Sequence, residues 1–229
     1  MKIRNIFIVA ILLSALTACD DVFNPAIENN RGEDAMYTEP DYAQGLLGYA
    51  YAILPYETKS SWDVATDDAV TNDKSSDYIR MAQGQWSASF NPVSQWDARK
   101  CAIQYDNLFL SIVDKVEWSK IASRQQMFVD KLKGEALGLR ALHYFYLLMA
   151  HGGWTADGQC LGVPILLQPE DGGSNFNQPR ASFADCMKQI FADLDAAIDL
   201  LPTDFADIKS ASEIPAKYQA INAEMGGYN

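Results

Sequence analysis

Apolar residues recur along this chain at helical spacing in four separate stretches. The first, TEPDYAQGLLGYAYAILPY, predicts a helix from Thr38 to Pro55: Thr38 is placed to cap, Pro40 suits the first turn, Asp41 completes a capping-box spacing and Pro55 ends it. In DARKCAIQYDNLFLSIVDKVEW, the residues Ala102, Tyr105, Phe109, Ile112, Val113 and Val116 form one continuous stripe. A third helix is expected over about 124–150. The fourth has Ser182 as N-cap and Asp185 three positions on. Its stripe is Phe183, Met187, Ile190, Phe191, Leu194, Ile198 and Leu201, and Pro202 stops it. With no convincing run of period two, the chain reads as all-α. Residues 56–96 are polar and aspartate-rich without a period. They form either a functional excursion or a set of short elements, because forty residues of true loop are unusual in a domain. A loop rich in Gly, Pro and Asn covers 151–181, and the chain turns polar beyond Pro202.

The third helix carries Gly134, Gly138 and Ala141 along one face. Each glycine costs about 1 kcal/mol in a helix interior, a cost that makes sense where another helix approaches closely. From Leu137 to Met149 the apolar residues run nearly all round, which predicts a central, buried helix. Glu135 and Arg140 are five apart, so they do not pair with each other, and each needs a partner on a neighbouring helix or loop.

The N-terminus sets the compartment. Lys2 and Arg4 precede an apolar run, Ile6 to Leu16, that is too short for a bilayer needing about 20 residues and has the build of a signal peptide. Leu16-Thr17-Ala18-Cys19 resembles a bacterial lipobox. That implies cleavage before Cys19 and acylation there, with several chains together giving a stable anchor. Acidic residues directly after such a cysteine, here Asp20 and Asp21, accompany export to the outer surface in some Gram-negative bacteria. The expected organisation is a signal peptide at 1–18, a lipidated N-terminus and tether at 19–37, and a helical region at 38–229. Losing residues 1–18 also loses Lys2 and Arg4, so 16 basic residues face 30 acidic ones and the charge moves from −12 to −14. Such a surface is a poor partner for nucleic acid, whose binding depends on neutralised phosphates. It also lacks a polybasic membrane patch.

Cys101, Cys160 and Cys186 show no metal spacing, and no pairing follows from their positions. His143 and His151 lie about 12 Å apart on one helix, too far for one metal, and read as structural. The aspartates of 56–96 do not form a calcium-loop pattern, and nothing in the chain points to a cofactor.

Taken in order, GEALGLRALHYFYLLMAHGG, LGVPILL and QPRASFADCMKQIFADLDAAIDLLP resemble the SusD/RagB family of surface lipoproteins. Gly134, Glu135, Ala136, Arg140, Ala141, Tyr144, Phe145, Leu147, Gly152, Gly162, Val163, Pro164, Arg180, Asp193, Leu194, Leu201 and Pro202 sit on its pattern. Trp96, Tyr105 and Asn107 resemble its earlier helix, and CDDVFNP its mature N-terminus. Two departures are His151, where Tyr is frequent, and the WTADGQC insertion between Gly153 and Gly162. The chain matches only the N-terminal half of members, so the expectation is a truncated fold of tetratricopeptide-like helix pairs with long loops, its C-terminal half absent. The resemblance implies an outer-membrane surface protein that captures oligosaccharides, sometimes peptides, and hands them to a TonB-dependent SusC-like transporter without doing chemistry.

A sugar site needs flat aromatic faces for the apolar side of a pyranose and polar groups for its hydroxyls. Residues 56–96 offer these, with Trp86 as the foremost platform, Asp68 as polar partner, and Trp62 and Arg80 beside them; the tryptophans serve either as platforms or as anchors of the loop. Trp96 reads as core. A surface glycoside hydrolase would need two carboxylates about 5–10 Å apart, and the sequence selects no such pair. A helical scaffold that binds only protein is the third reading. Replacing Cys19 by Ala is expected to release the protein from the membrane fraction into the soluble one, as cell fractionation and mass spectrometry of the mature N-terminus would read out.

Overall fold

Among the described residues, four helices exceed ten residues: α1 (Pro40–Ala52), α2 (Trp96–Ile112), α3 (Ala122–His151) and α4 (Phe183–Leu200). The computed structural model describes residues 32, 34–55, 61–87, 89–201, 210, 212, 214 and 216–219. The lipobox with Cys19 and the helix stop at Pro202 lie outside them, as do the side chains of Ser61, Trp62 and Ser123. The only strands described are two residues long, β1 (Gly153–Trp154) and β2 (Cys160–Leu161), paired antiparallel. This is the expected all-α class.

Successive helices run antiparallel. Ala43 of α1 packs with Ile112 and Val116 at the far end of α2, while the Ile53 carbonyl just past α1 accepts from Arg99 at the start of α2. Phe109 of α2 shares a cluster with Leu132 and Ala136 of α3. On α3, Gly134 faces Leu200 and Leu201, Gly138 faces Ala197, and Arg140 meets Asp193 of α4. The expected close approach of a second helix is therefore present, and it is tightest at Gly134. The stripe of α2 is the face that packs: Ala102, Phe109, Ile112, Val113 and Val116 are buried, and Tyr105 stacks on Tyr49 with ring centroids 4.2 Å apart. Buried apolar side chains of this size contribute about 1.5–3 kcal/mol each.

Local signals hold at α4 and shift at α1. The Ser182 Oγ accepts from the Asp185 N–H at 3.0 Å, the expected N-cap, and also donates to the Asp185 carboxylate at 2.7 Å. Thr38, expected to cap α1, instead ends a short helix, Asp34–Thr38. The N-cap is Glu39, in extended conformation with no side-chain capping bond. The residue before a proline is pushed away from helical geometry, and Pro40, with φ fixed and no N–H to satisfy, opens the helix itself.

The fourth helix departs from its apolar stripe. Its buried line is Cys186, Ile190, Asp193 and Ala197, while Phe191, Leu194, Ile198 and Leu201 are exposed. An ion pair sets this rotation. Arg140 donates from Nε and Nη2 to the two Asp193 oxygens at 2.8 and 2.6 Å and from Nη1 to Asn107 Oδ1 at 2.9 Å, all buried. Turning α4 to bury its hydrophobes would pull Asp193 away and strand a buried cation. On α3, likewise, Leu142, Phe145 and Met149 are exposed, so this helix is central but leaves one edge open. The other charge read as needing a partner, Glu135, accepts from the Tyr51 hydroxyl at 3.2 Å.

Asn107 extends the network outward, its Nδ2 donating to the Leu166 and Gln168 carbonyls at 2.9 and 3.2 Å. Tyr144 Oη donates to the Leu166 carbonyl at 2.8 Å and accepts from its N–H at 2.6 Å. The Gly162-Val163 segment is thereby pressed on α4, with Cys186 Sγ accepting from the Val163 N–H and donating to its carbonyl, each at 3.3 Å. At the other end of α3, Lys217 and Tyr218 both donate to Asp130 at 2.5 Å, a docking the polar end of the sequence does not announce. His143 is structural as expected: Nδ1 accepts from Arg99 at 3.1 Å and Nε2 donates to the Ala50 carbonyl at 3.2 Å.

A Cβ at Gly162 would lie 2.3 Å from Cys186 Sγ and 3.1 Å from the Ser182 carbonyl oxygen, whereas one at Gly138 meets only Ala197 at 3.9 Å. Gly162→Ala is therefore expected to cost about 1–3 kcal/mol by overpacking. Gly138→Ala is expected to stabilise by up to about 1 kcal/mol through helix propensity. Denaturant unfolding of the two variants compares them directly.

Asp106 is fully buried with both oxygens unpaired, and burial pushes its pKa up to about 8, although Arg140 pulls it down. His143 is pushed down to about 4, by burial first and by Arg99 second. The unfolded chain ionises the aspartate near pH 4 and the histidine near 6.5. Folding therefore takes up a proton at Asp106 between pH 4 and 8, so that contribution to stability falls as pH rises. At His143 folding releases a proton between pH 4 and 6.5, so its contribution rises. The two oppose each other below 6.5, and only the fall remains from 6.5 to 8, at about 1.4 kcal/mol per pH unit for one proton. Thermal unfolding midpoints should drop across that interval in the wild type and stay level in Asp106→Asn.

Candidate ligand-binding surface

The excursion between α1 and α2 folds through its own polar side chains. A 3-10 turn, Ser61–Ala65, is followed by Thr66, whose hydroxyl donates to the Asp63 carbonyl at 2.7 Å and accepts from the Asp68 N–H at 3.2 Å. The Asp73 N–H donates to Thr71 Oγ1 at 3.1 Å. Asp73 Oδ1 accepts from the Ser75 N–H and hydroxyl at 2.9 and 2.6 Å, bonds that hold its carboxyl below the usual range. Such side-chain-closed turns are what Ser, Thr and Asp favour when no helix competes. A helical turn, Asp77–Arg80, runs on into a π-helical turn, Met81–Gln85, in which Gly84 takes φ +84°. The described part of this region therefore holds short elements. The excursion ends at Gln95, whose N–H donates to His151 Nε2 at 3.1 Å at the end of α3.

Arg80 is the organising side chain here. Its Nη1 pairs with Asp77 at 3.1 Å, its Nε donates to Gln85 Oε1 at 3.1 Å, and its guanidinium lies 4.1 Å over the Phe90 ring. Trp86 follows in extended conformation, with the Ser87 and Phe90 backbones bonded reciprocally at 3.0 and 3.1 Å. Trp86 leaves 54% of its surface exposed. Trp96, by contrast, packs against the core and meets His151 edge-on at 5.4 Å.

A surface depression of about 440 Å³ opens on this segment, walled by Val64, Thr71, Asp73, Ser76, Asp77 and Tyr78 among others. The structure links Arg80 to it through Asp77, and to Trp86 through Gln85. Asp68 is exposed nearby in sequence but is not among the wall residues, and neither are Arg80 and Trp86. Trp62 belongs to the opening 3-10 turn, and its side chain lies outside the described residues. Among the described residues no three His, Cys, Asp or Glu side chains converge as a metal site requires, and no helix is long and apolar enough to cross a membrane. Outside this excursion, Trp154 and Phe176 are exposed on the 151–181 loop. Sequence alone offered no signal for them, because a single aromatic in a loop has no period to betray its direction.

A SusD-like sequence family described as "Starch-binding associating with outer membrane" matches residues 41–221. Several solved structures share the fold. A laminarin binding SusD-like protein has 22% identity over 75% of this chain and 37% of its own, with a TM-score of 0.56. A putative sugar binding protein from Bacteroides vulgatus ATCC 8482 has 25% identity over 70% and 37%, at 0.53. A SusD superfamily protein from the same organism has 19% identity over 73% and 38%, at 0.58. The chain thus spans little more than a third of the length of these structures. No curated protein matches its sequence.

Proposed function

Because this chain belongs to the SusD-like family, we propose that it is a lipid-anchored protein of the outer-membrane surface that captures glycans and delivers them to a TonB-dependent SusC-like transporter. The anchor is Cys19, and the lipobox before it is what supports that assignment. The capture surface is the excursion of residues 61–90, with Trp86 as stacking platform, Arg80 as the residue that positions it, and Asp68 and Trp62 as flanking contacts. The observation that carries this reading is the half-exposed indole of Trp86, one residue past Gln85, whose side chain Arg80 bonds. A flat apolar face open to solvent suits a sugar ring, whose faces are apolar and whose rim is polar. Capture requires no bond to be made or broken, and the carbohydrate leaves unchanged.

The test is affinity electrophoresis of the full chain through laminarin and soluble starch, with product analysis of both polymers. Retention without new reducing ends is the expected result. Trp86→Ala is expected to weaken retention about tenfold, or about 1.4 kcal/mol, with an unchanged unfolding midpoint. New reducing ends would instead mark a hydrolase.

A further inference from the structure

We propose that Trp154, on the short hairpin formed by β1 and β2, is a second carbohydrate platform, separate from the excursion that carries Trp86. This rests on the glycan-capture reading and adds to it a site outside residues 61–90.

Trp154 exposes 78% of its surface, against 54% for Trp86. A single exposed apolar side chain is ordinary on a protein surface. The support beneath this one is not. The hairpin pairs Gly153 with Leu161 and Trp154 with Cys160. Its turn is closed by the Thr155 N–H donating to the Gln159 carbonyl at 2.9 Å and the Gly158 N–H donating to the Thr155 carbonyl at 3.0 Å. Gly158 takes φ +81° and Gly153 φ +152°, conformations that a side chain would strain. Polar side chains tighten the same turn. Thr155 Oγ1 accepts from the Gln159 N–H at 3.1 Å and lies in bonding reach of Asp157, and Gln159 Nε2 donates to Asp157 Oδ2 at 2.7 Å.

The base of the hairpin is clamped from below. Arg180 donates from Nε to the Gly162 carbonyl at 2.7 Å and from Nη2 to the His151 and Leu161 carbonyls at 2.8 and 3.1 Å. One guanidinium thus joins the end of α3, which leads into β1, to the β2 side of the hairpin stem. β2 continues onto the start of α4 through a bridge from Leu161 to Ser182 and the Gly162 N–H donating to the Ala181 carbonyl at 2.8 Å.

The hairpin backbone from which the indole projects is held in one conformation, so a ligand stacking on it has no loop to order, which lowers the cost of a small contact. One indole face matches one pyranose face, and the residues next to it in the turn, Thr155, Asp157 and Gln159, supply acceptors and donors for ring hydroxyls. A protein partner of ordinary size would need a much wider apolar surface than one tryptophan offers. The occupant that fits is a single sugar residue of a glycan chain.

Isothermal titration of the full chain with laminarin and with soluble starch is the test, alongside Trp154→Ala, Trp154→Phe and Trp86→Ala. Trp154→Ala is expected to raise Kd about fivefold to tenfold for the polymer that the wild type binds, with an unchanged unfolding midpoint. Trp154→Phe should restore most of the affinity. Ligand should also shift tryptophan emission to the blue in the wild type, and by a smaller amount in Trp154→Phe. Unaltered affinity in Trp154→Ala, with Trp86→Ala weakened, overturns this proposal and leaves the capture reading standing. The proposal falls equally if Trp154→Ala changes only association with outer-membrane fractions. Failure of the wild type to bind either polymer overturns both.

Discussion

Two carboxylate oxygens of Asp193 meet the guanidinium of Arg140 inside the protein, and the arrangement of α2, α3 and α4 follows from keeping them together. A buried pair of this kind contributes little net stability against a hydrophobic replacement, yet removing one partner costs about 3–5 kcal/mol, because a charge is left alone in the core. Its effect is therefore on specificity of packing. It selects one rotation of α4 out of the several that its apolar residues would permit, and it leaves Phe191 and Ile198 facing outward as the consequence. Gln189, donating to Asp193 Oδ1 at 3.0 Å from one turn earlier, holds the same choice. Through Asn107 the pair also fixes the Leu166–Gln168 backbone, so one ion pair orders three helices and a loop.

Many of the residues that carry the family resemblance belong to this framework. Arg140, Asp193, Asn107 and Tyr144 bond to one another or to a shared carbonyl. Gly162 lets the chain lie on Cys186, and Arg180 gathers three carbonyls that would otherwise want partners. The motif is thus a record of how the helix pairs are stapled. That is why the fold could be read from one sequence while the ligand could not.

The helices were legible because their signals are local. Ser182 and Asp185 cap in sequence, Pro40 is tolerated in a helix only at its first turn, and the α2 stripe marks the face that packs. The rotation of α4 was not legible, since it depends on an arginine 53 positions away and the hydrophobic pattern points elsewhere. The short turns of 61–90 escaped for a different reason: they are closed by side chains acting on their own backbone, which leaves no period. Trp86 could be singled out by residue type in a polar stretch. Trp154 could not, as only the clamp beneath it gives it a direction.

The sulfur of Cys186 occupies the space that a side chain at position 162 would fill, with 1% of the residue exposed. No alkylating reagent fits there while the strand remains seated on α4. Cys101 and Cys160 are unpaired and partly accessible, so they react at their own pace. The slow third thiol then becomes an internal clock. Its labelling rate counts how often the Gly162-Val163 segment lifts from the helix, a breathing motion that needs no added probe to follow.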